Sequence, residues 1–212
     1  MKLIDLNVTD FINEVDSKSP APGGGSVSAL SGSIGASLLR MVGHLTTGKK
    51  KFKALEESDQ SAFYNAFDQL ILVKENLTTL IDEDTNAFNL IMAAFKLPKV
   101  TEEDITIRKE AIVEATRTAI EVPLNVATEC IEGLGHLNVI KRFGNKNCIS
   151  DIGVAAMMLK TGAIGALMNV KINIHGLKDQ EEKEDLQAQV IEMYQQVELL
   201  SNTFINDVFE AL

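Results

Sequence analysis

The chain reads as an all-α protein, a multi-helical bundle of long antiparallel helices, and three observations predict it. The first is a stripe: Phe63, Phe67, Leu70, Lys74, Leu77, Ile81, Asp84, Phe88, Ile91 and Phe95 follow one another at steps of four and three without a slip. That spacing keeps side chains on one face of a helix, and because all but Lys74 and Asp84 are large and apolar, the face is expected to be buried. The second is a strip of small residues, Ser28, Gly32 and Ala36, four apart, where another helix can approach closely. The third is the C-terminal segment, where Leu186, Val190, Met193, Val197, Leu200 and Phe204 point one way. Only Lys171–Ile174 offers a candidate strand, and it is set aside.

In order, Asn7-x-x-Asp10 predicts a capping box and a short helix to about Ser17. Ser19-Pro20-Ala21-Pro22-Gly23-Gly24-Gly25-Ser26 follows, where two prolines stop a helix and three glycines permit backbone shapes that other residues resist. A helix from about Ser26 to Thr46 comes next, with Gly48 as its C-cap. The run Lys49-Lys50-Lys51-Phe52-Lys53 complements that helix's C-terminal dipole, or else anchors an anionic ligand. The striped helix reaches about Phe95 and ends at Leu97-Pro98. Thr101-x-x-Asp104 caps some thirty further helical residues, with a kink or break expected at Pro123. Gly133–His136 and Gly144–Asn147 are expected as loops. Ser150 or Asn147 is expected to cap a helix reaching about Val170 with Asp151 in its first turn, and acidic residues from Glu181 open the last helix.

The chain has 212 residues, 45% hydrophobic and 24% charged, values of a globular protein with ample length for a core. No internal repeat or low-complexity linker divides it, so residues 1–212 are expected to form one domain. A formal charge of -10 argues against general nucleic-acid binding, which needs a basic surface. Two cysteines, Cys130 and Cys148, make no disulfide framework. The first ten residues lack the apolar run of a signal peptide. The two most apolar stretches, Ile152–Val170 and Ser26–Leu45, are interrupted by Lys160 and Arg40. These features predict a cytoplasmic protein with no membrane partner.

Several familiar sites are excluded. Gly43–Lys50 is one residue short of a Walker A motif, carries Lys50 where Ser or Thr belongs, and ends a helix instead of following a strand. Gly23-Gly24-Gly25 fails the dinucleotide fingerprint, with Ser28 at its third glycine position. His44, His136 and His175 stand isolated, with no second ligand at zinc spacing. What remains is polar residues in unusual company. The glycines at 23–25 feed a helix start at Ser26, where unpaired N–H groups attract anions or carbonyl oxygens. Asn145, Asn147 and Asp151 crowd one loop and helix start, and Asn169 and Asn173 sit at that helix's far end. Asp84 lies on the apolar stripe. An unpaired buried carboxylate costs several kcal/mol or shifts its pKa. Asp84 therefore either pairs with a basic side chain or a helix terminus, or serves as a catalytic acid–base.

Ser19-Pro20-Ala21-Pro22-Gly23-Gly24-Gly25-Ser26-Val27 resembles the signature of the formimidoyltetrahydrofolate cyclodeaminase family, which includes methenyltetrahydrofolate cyclohydrolase-like proteins. The resemblance continues through Met41-Val42-Gly43, Gly48-Lys49, Leu80–Asp84 with Ala87-Phe88, Leu97-Pro98-Lys99 and Val122-Pro123-Leu124. It resumes at Gly144-Asn145, Ser150-Asp151, Val154-Ala155-Ala156 and Asn169–Asn173, so that blocks in the same order span nearly the whole chain. It implies an all-helical fold in homodimers or larger assemblies, a tetrahydrofolate one-carbon substrate, and neither metal nor further cofactor. The chain begins where the formiminotransferase domain of bifunctional members would end, so a separate formiminotransferase is an expected partner.

Three functions follow as expectations: release of ammonia from 5-formimidoyltetrahydrofolate to give the 5,10-methenyl form, hydrolysis of the methenyl form, and folate binding without turnover. Asp84 and Asp151 are the expected catalytic carboxylates, with Asp151 and Asn147 holding the pterin or a water. Gly23, Gly24, Gly25 and Ser26 would suit a folate carboxylate, and Lys49 and Lys50 a polyglutamate tail. Arg40, Asp82, Asn145 and Asn173 complete the expected substrate-binding set, Asp82 from a different side of its helix.

Overall fold

The computed structural model describes residues 2–212. Among them there is no strand, and the elements are α1 (Val8–Val15), α2 (Gly24–Thr47), α3 (Lys50–Lys53), α4 (Glu57–Lys96), α5 (Glu102–Gly135), α6 (Leu137–Phe143), α7 (Ile149–Ile174) and α8 (Gln180–Glu210), with short 3-10 turns at Leu3–Asp5 and Lys146–Cys148. Local chemistry sets the starts of three helices. The Asn7 side chain accepts from Asp10 N–H, Thr101 and Asp104 form a reciprocal capping box, and Asp179 accepts from Glu182 N–H.

α2, α4, α5 and α7 form a four-helix bundle in which sequential neighbours run antiparallel, and α8 lies outside against α7 and α5. The register is read from side-chain neighbours: Gly25 meets Asp84 and Gly43 meets Phe67 across α2 and α4, whereas Gly24 meets Asn169 and Gly35 meets Ala155 across α2 and α7. Leu39, Leu70, Leu77, Leu134, Ile152 and Leu159 are buried between them in one core. The small-residue strip of α2 lies in the tightest of these contacts. A Cβ on Gly162 would stand 2.8 Å from the Ser28 carbonyl oxygen, so α7 approaches α2 where neither has bulk. α7 is long and apolar enough to cross a bilayer, yet half of its most apolar stretch is buried in the bundle.

Several local expectations are corrected or narrowed. α2 starts at Gly24, not Ser26, and its glycines all have negative φ, so their value is not a left-handed backbone. α5 runs unbroken through Pro123 and through the expected loop at Gly133, leaving His136 alone as the junction to α6. Neither Ser150 nor Asn147 caps α7: a 3-10 turn leads into it and Cys148 is its N-cap, without a side-chain hydrogen bond. α7 then absorbs Lys171–Ile174, because the core of α5 continues beneath it to Ile174. Phe63, Leu70, Leu77 and Ile81 of the α4 stripe are buried, with Phe67 and Lys74 half-buried between them, and the stripe opens beyond: Phe88 and Ile91 are half-buried and Phe95 is exposed, since α4 outruns the helix start that covers Asp84.

Candidate active site

Pro123 explains one wall of the site. Proline has no N–H, so the carbonyl of Ala119, four residues back, loses its helical donor. Asn173 of α7 supplies one, donating from Nδ2 at 2.6 Å. This bond leaves α5 without a break and fixes the C-terminal end of α7 against α5. One turn earlier, Asn169 donates to the Gly165 carbonyl at 2.8 Å. The two amide side chains border a cleft of about 150 Å³, with Gly23, Gly24, Gly25, Asp84, Phe88 and Ala119 among its other walls.

Asp84 stands on the α4 side of this cleft, where the N-terminus of α2 ends against it. The Ser26 N–H donates to Asp84 Oδ2 at 2.8 Å, using one of the helix-terminal amides that have no partner within their own helix. The Ser26 hydroxyl lies 3.0 Å from the same oxygen, 2.9 Å from the Ile81 carbonyl and 3.1 Å from the Thr85 hydroxyl. A hydroxyl has one proton to give. It can donate to Asp84 when the carboxylate is charged and to the Ile81 carbonyl when the acid is neutral, so either state is accommodated.

Burial pushes the Asp84 carboxyl above the ordinary aspartate range, and the two Ser26 hydrogen bonds partly oppose that rise. Of the two readings open from sequence, pairing with a helix terminus describes the contact seen. The contact leaves Oδ1 uncommitted at the cleft, so the acid–base reading remains compatible with it.

The glycines owe their place to this approach. A Cβ on Gly25 would lie 1.9 Å from Asp84 Oδ1, which no packing tolerates, and one on Gly24 would lie 3.2 Å from Asn169 Nδ2. Gly23, Gly24 and Gly25 line the cleft, whereas Ser26 is fully buried and holds Asp84 instead of facing a ligand.

The remaining expected residues lie elsewhere. Asp82 accepts from Leu3 N–H at 2.6 Å and pins the N-terminal turn, on a different side of α4 from the cleft. Arg40 donates to the Phe67 carbonyl and lies 4.2 Å above the Phe67 ring, midway along the bundle. Asp151 sits in the first turn of α7, and 22 residues at 1.5 Å rise put it roughly 33 Å along the helix from Asn173.

Lys49, Lys50, Asn145 and Asn147 gather at that same far end. They line a groove of about 610 Å³ together with Lys51, Arg142 and Lys146. Lys146 is partly engaged, donating to the carbonyls of Lys141 and Arg142 at 2.9 and 3.1 Å, and the Asn145 N–H donates to Thr46 Oγ1 at 2.9 Å. Within one chain the expected residues thus divide between two places, a carboxyl cleft and a basic groove, because α2 and α7 carry their motifs at opposite ends.

Phe88, Ile91 and Ala119 join the cleft without having been expected there, and Asn169, noted with Asn173 but given no role, joins them. The first two were visible in the α4 stripe but expected to be core, and Asn169 stands one turn before Asn173. Ala119 carried no signal except its distance of four from Pro123. Among the described residues no three His, Cys, Asp or Glu side chains gather as a metal site.

Comparison with known proteins gives a consistent result. Residues 7–192 match the family model described as formiminotransferase-cyclodeaminase. Formimidoyltransferase-cyclodeaminase of Rattus norvegicus is 36% identical over 194 residues, 92% of this chain and 35% of the relative. Methenyltetrahydrofolate cyclohydrolase of Methylorubrum extorquens is 38% identical over 172 residues, 81% of each chain. The crystal structure of formiminotetrahydrofolate cyclodeaminase from Thermotoga maritima superposes with a TM-score of 0.72 at 27% identity, covering 92% of this chain and 96% of that one. The chain spans about a third of the length of the bifunctional relatives it matches.

Proposed function

The chain belongs to the formiminotransferase-cyclodeaminase family, and on that premise we propose that it converts 5-formimidoyltetrahydrofolate to 5,10-methenyltetrahydrofolate with release of ammonia. The observation that carries this reading is a half-buried carboxyl with a raised pKa, gripped by one helix terminus and facing a cleft.

In the reaction, the folate nitrogen at position ten attacks the formimidoyl carbon carried on nitrogen five. The tetrahedral adduct that forms must lose the proton of the attacking nitrogen and gain one on its amino group before ammonia departs. A single carboxyl can perform both transfers if its pKa approaches the working pH, because it is then neither a negligible base nor a negligible acid. Desolvation moves Asp84 in that direction. The Ser26 hydroxyl can follow each transfer by turning between Asp84 and the Ile81 carbonyl.

A cleft of about 150 Å³ suits the reacting end of a folate and not the whole molecule, which supports reading Gly23–Gly25 as walls around that end instead of a seat for the tail carboxylate. Phe88 and Ile91 supply apolar wall for a flat ring, and the Asn169 amide offers polar contact.

The cyclohydrolase relative supports a second reading, hydrolysis of the methenyl bridge, in which water replaces ammonia and Asp84 serves as the base. The deciding experiment follows ammonia and the methenyl chromophore together, for wild type and Asp84→Asn, with 5-formimidoyltetrahydrofolate as substrate. Equal yields of the two, lost in the variant while folate binding persists, are expected. No ammonia, with accelerated hydrolysis of offered methenyltetrahydrofolate, would replace the first reading by the second. Full turnover in Asp84→Asn would remove Asp84 from either.

A further inference from the structure

Two amide side chains in the cleft are locked in orientation by backbone carbonyls. Asn173 Nδ2 donates to the Ala119 carbonyl at 2.6 Å, and Asn169 Nδ2 donates to the Gly165 carbonyl at 2.8 Å. A carbonyl oxygen only accepts, so neither amide can turn over without setting oxygen against oxygen. Both residues line the cleft, both are half-buried, and among the described residues no group donates to either Oδ1. Neither oxygen is sealed away from solvent. Asp84 Oδ1 is a third oxygen without a donor, on the α4 side of the same cleft.

The two anchors serve orientation more than they serve the fold. The Gly165 carbonyl already has a helical donor in the backbone N–H of Asn169 four residues on, so the side-chain bond fills no gap. The Ala119 carbonyl is free to take the Asn173 amide only because Pro123 brings no N–H. Asn169 and Asn173 stand one turn apart on α7, where side-chain origins lie about 5–6 Å from each other. An N–H···O bond spans about 2.9 Å between its heavy atoms, so a single nitrogen placed between two such oxygens can be held by both.

A formimidoyl group carried on a ring nitrogen is an amidine, protonated in neutral water, and its terminal nitrogen offers only N–H groups. The oxygen counterpart, a formyl group, offers only lone pairs there. We infer that Asn169 and Asn173, together with Asp84 Oδ1, form an acceptor site for the amino nitrogen that leaves, and that this site selects a formimidoyl over a formyl group. The inference rests on the folate reading and deepens it. In the tetrahedral adduct, Asp84 passes the proton taken from nitrogen ten to the amino group, which then carries three N–H groups for three oxygens. The carbon–nitrogen bond breaks with its electron pair going to that nitrogen, and ammonia leaves. Each amide keeps a second N–H, so the selection is made by the oxygens, and Asp84 has no proton to offer a formyl oxygen while it is charged.

The test uses two ligands that differ only in this atom, 5-formimidoyl-10-deazatetrahydrofolate and its 5-formyl counterpart. Carbon at position ten cannot attack, so neither is turned over and equilibrium binding can be measured on the wild type. A preference of about 100-fold for the formimidoyl ligand is expected, because a site built for N–H groups leaves its oxygens unpaired against the other ligand. Asn169→Ala strands no backbone group, and it is expected to lower the preference about 10-fold by weakening the formimidoyl ligand alone. Pro123→Ala gives Ala119 a helical donor and releases the Asn173 amide, which should lower the preference about 3-fold without loss of helical circular dichroism.

Equal affinities in the wild type overturn the acceptor site while folate binding stands. So does a preference that Asn169→Ala leaves intact, or a variant that weakens both ligands alike, the mark of a merely structural role. An unchanged preference in Pro123→Ala removes Pro123 from the device. A wild type that binds neither ligand takes the folate reading down together with the acceptor site, a result distinct from binding both equally.

Discussion

The two ends of α2 are built on opposite principles. At its N-terminus one carboxyl is gripped by backbone, and the fit is so close that a single added Cβ would lie 1.9 Å from Asp84 Oδ1. At its C-terminus several cations stand around an open groove, held by little except the chain they belong to. The first end tolerates no change of volume and owes its chemistry to desolvation. The second tolerates substitution and owes its character to exposed charge, which salt screens within about 10 Å at 0.1 M. The difference separates a place suited to proton transfer from one suited to holding a flexible anion.

The largest expected effect is at the tight end. Gly25→Ala must displace either α2 or Asp84, and a reacting group misplaced by about 1 Å costs roughly 100-fold in turnover. Steady-state assay should show that loss with most of the helical signal retained; turnover within a few-fold of wild type would show that Asp84 does not need its present position. Asn173→Leu comes next. It strands the Ala119 carbonyl that Pro123 deprives of a donor, at an expected cost of about 1–3 kcal/mol in denaturant unfolding. Adding Pro123→Ala should recover much of that cost, since the helix then supplies its own donor.

A smaller effect is expected in the pH dependence of stability. Because the folded chain holds the Asp84 proton more tightly than the unfolded chain does, stability falls as pH rises from the ordinary aspartate range through the raised value, then levels. Denaturation of wild type and Asp84→Asn from acid to neutral pH should differ by this slope, and parallel curves would show that burial does not perturb the group. The smallest effect belongs to the open end. Lys49→Ala and Lys50→Ala should each change stability by about 0–1 kcal/mol, as exposed charges do. Their effect should appear instead in the salt dependence of pentaglutamyl folate affinity measured by equilibrium binding.

Much of this was legible before any coordinates. The α4 stripe marked Asp84 as the odd residue on an apolar face, and the Ser28, Gly32 and Ala36 strip marked the side of α2 open to close helix packing, because both are consequences of 3.6 residues per turn. Of the helix starts carrying their own side-chain caps, Asn7 and Thr101 were marked, since a cap is a local bond, whereas Asp179 was passed over for the acidic residues from Glu181. The start of α7 was misjudged because no side chain caps it. Two residues along a helix is about 200° of rotation, which already set Asp82 on another side of α4 from Asp84; that Arg40 turns to the Phe67 carbonyl midway along the bundle depends on the neighbouring helix and has no local signal.

By itself the sequence determined the helices, the face each one buries and the family to which the blocks of motif belong. These follow from periodicity and from short-range bonding along one chain. Only the tertiary structure decided that Gly25 closes on Asp84, that Asn173 repairs the helix at Pro123, and that the lysines stand a helix length from the cleft. Each of those depends on how two helices far apart in sequence are aligned, and alignment is fixed by packing across the interface, where no local pattern records it.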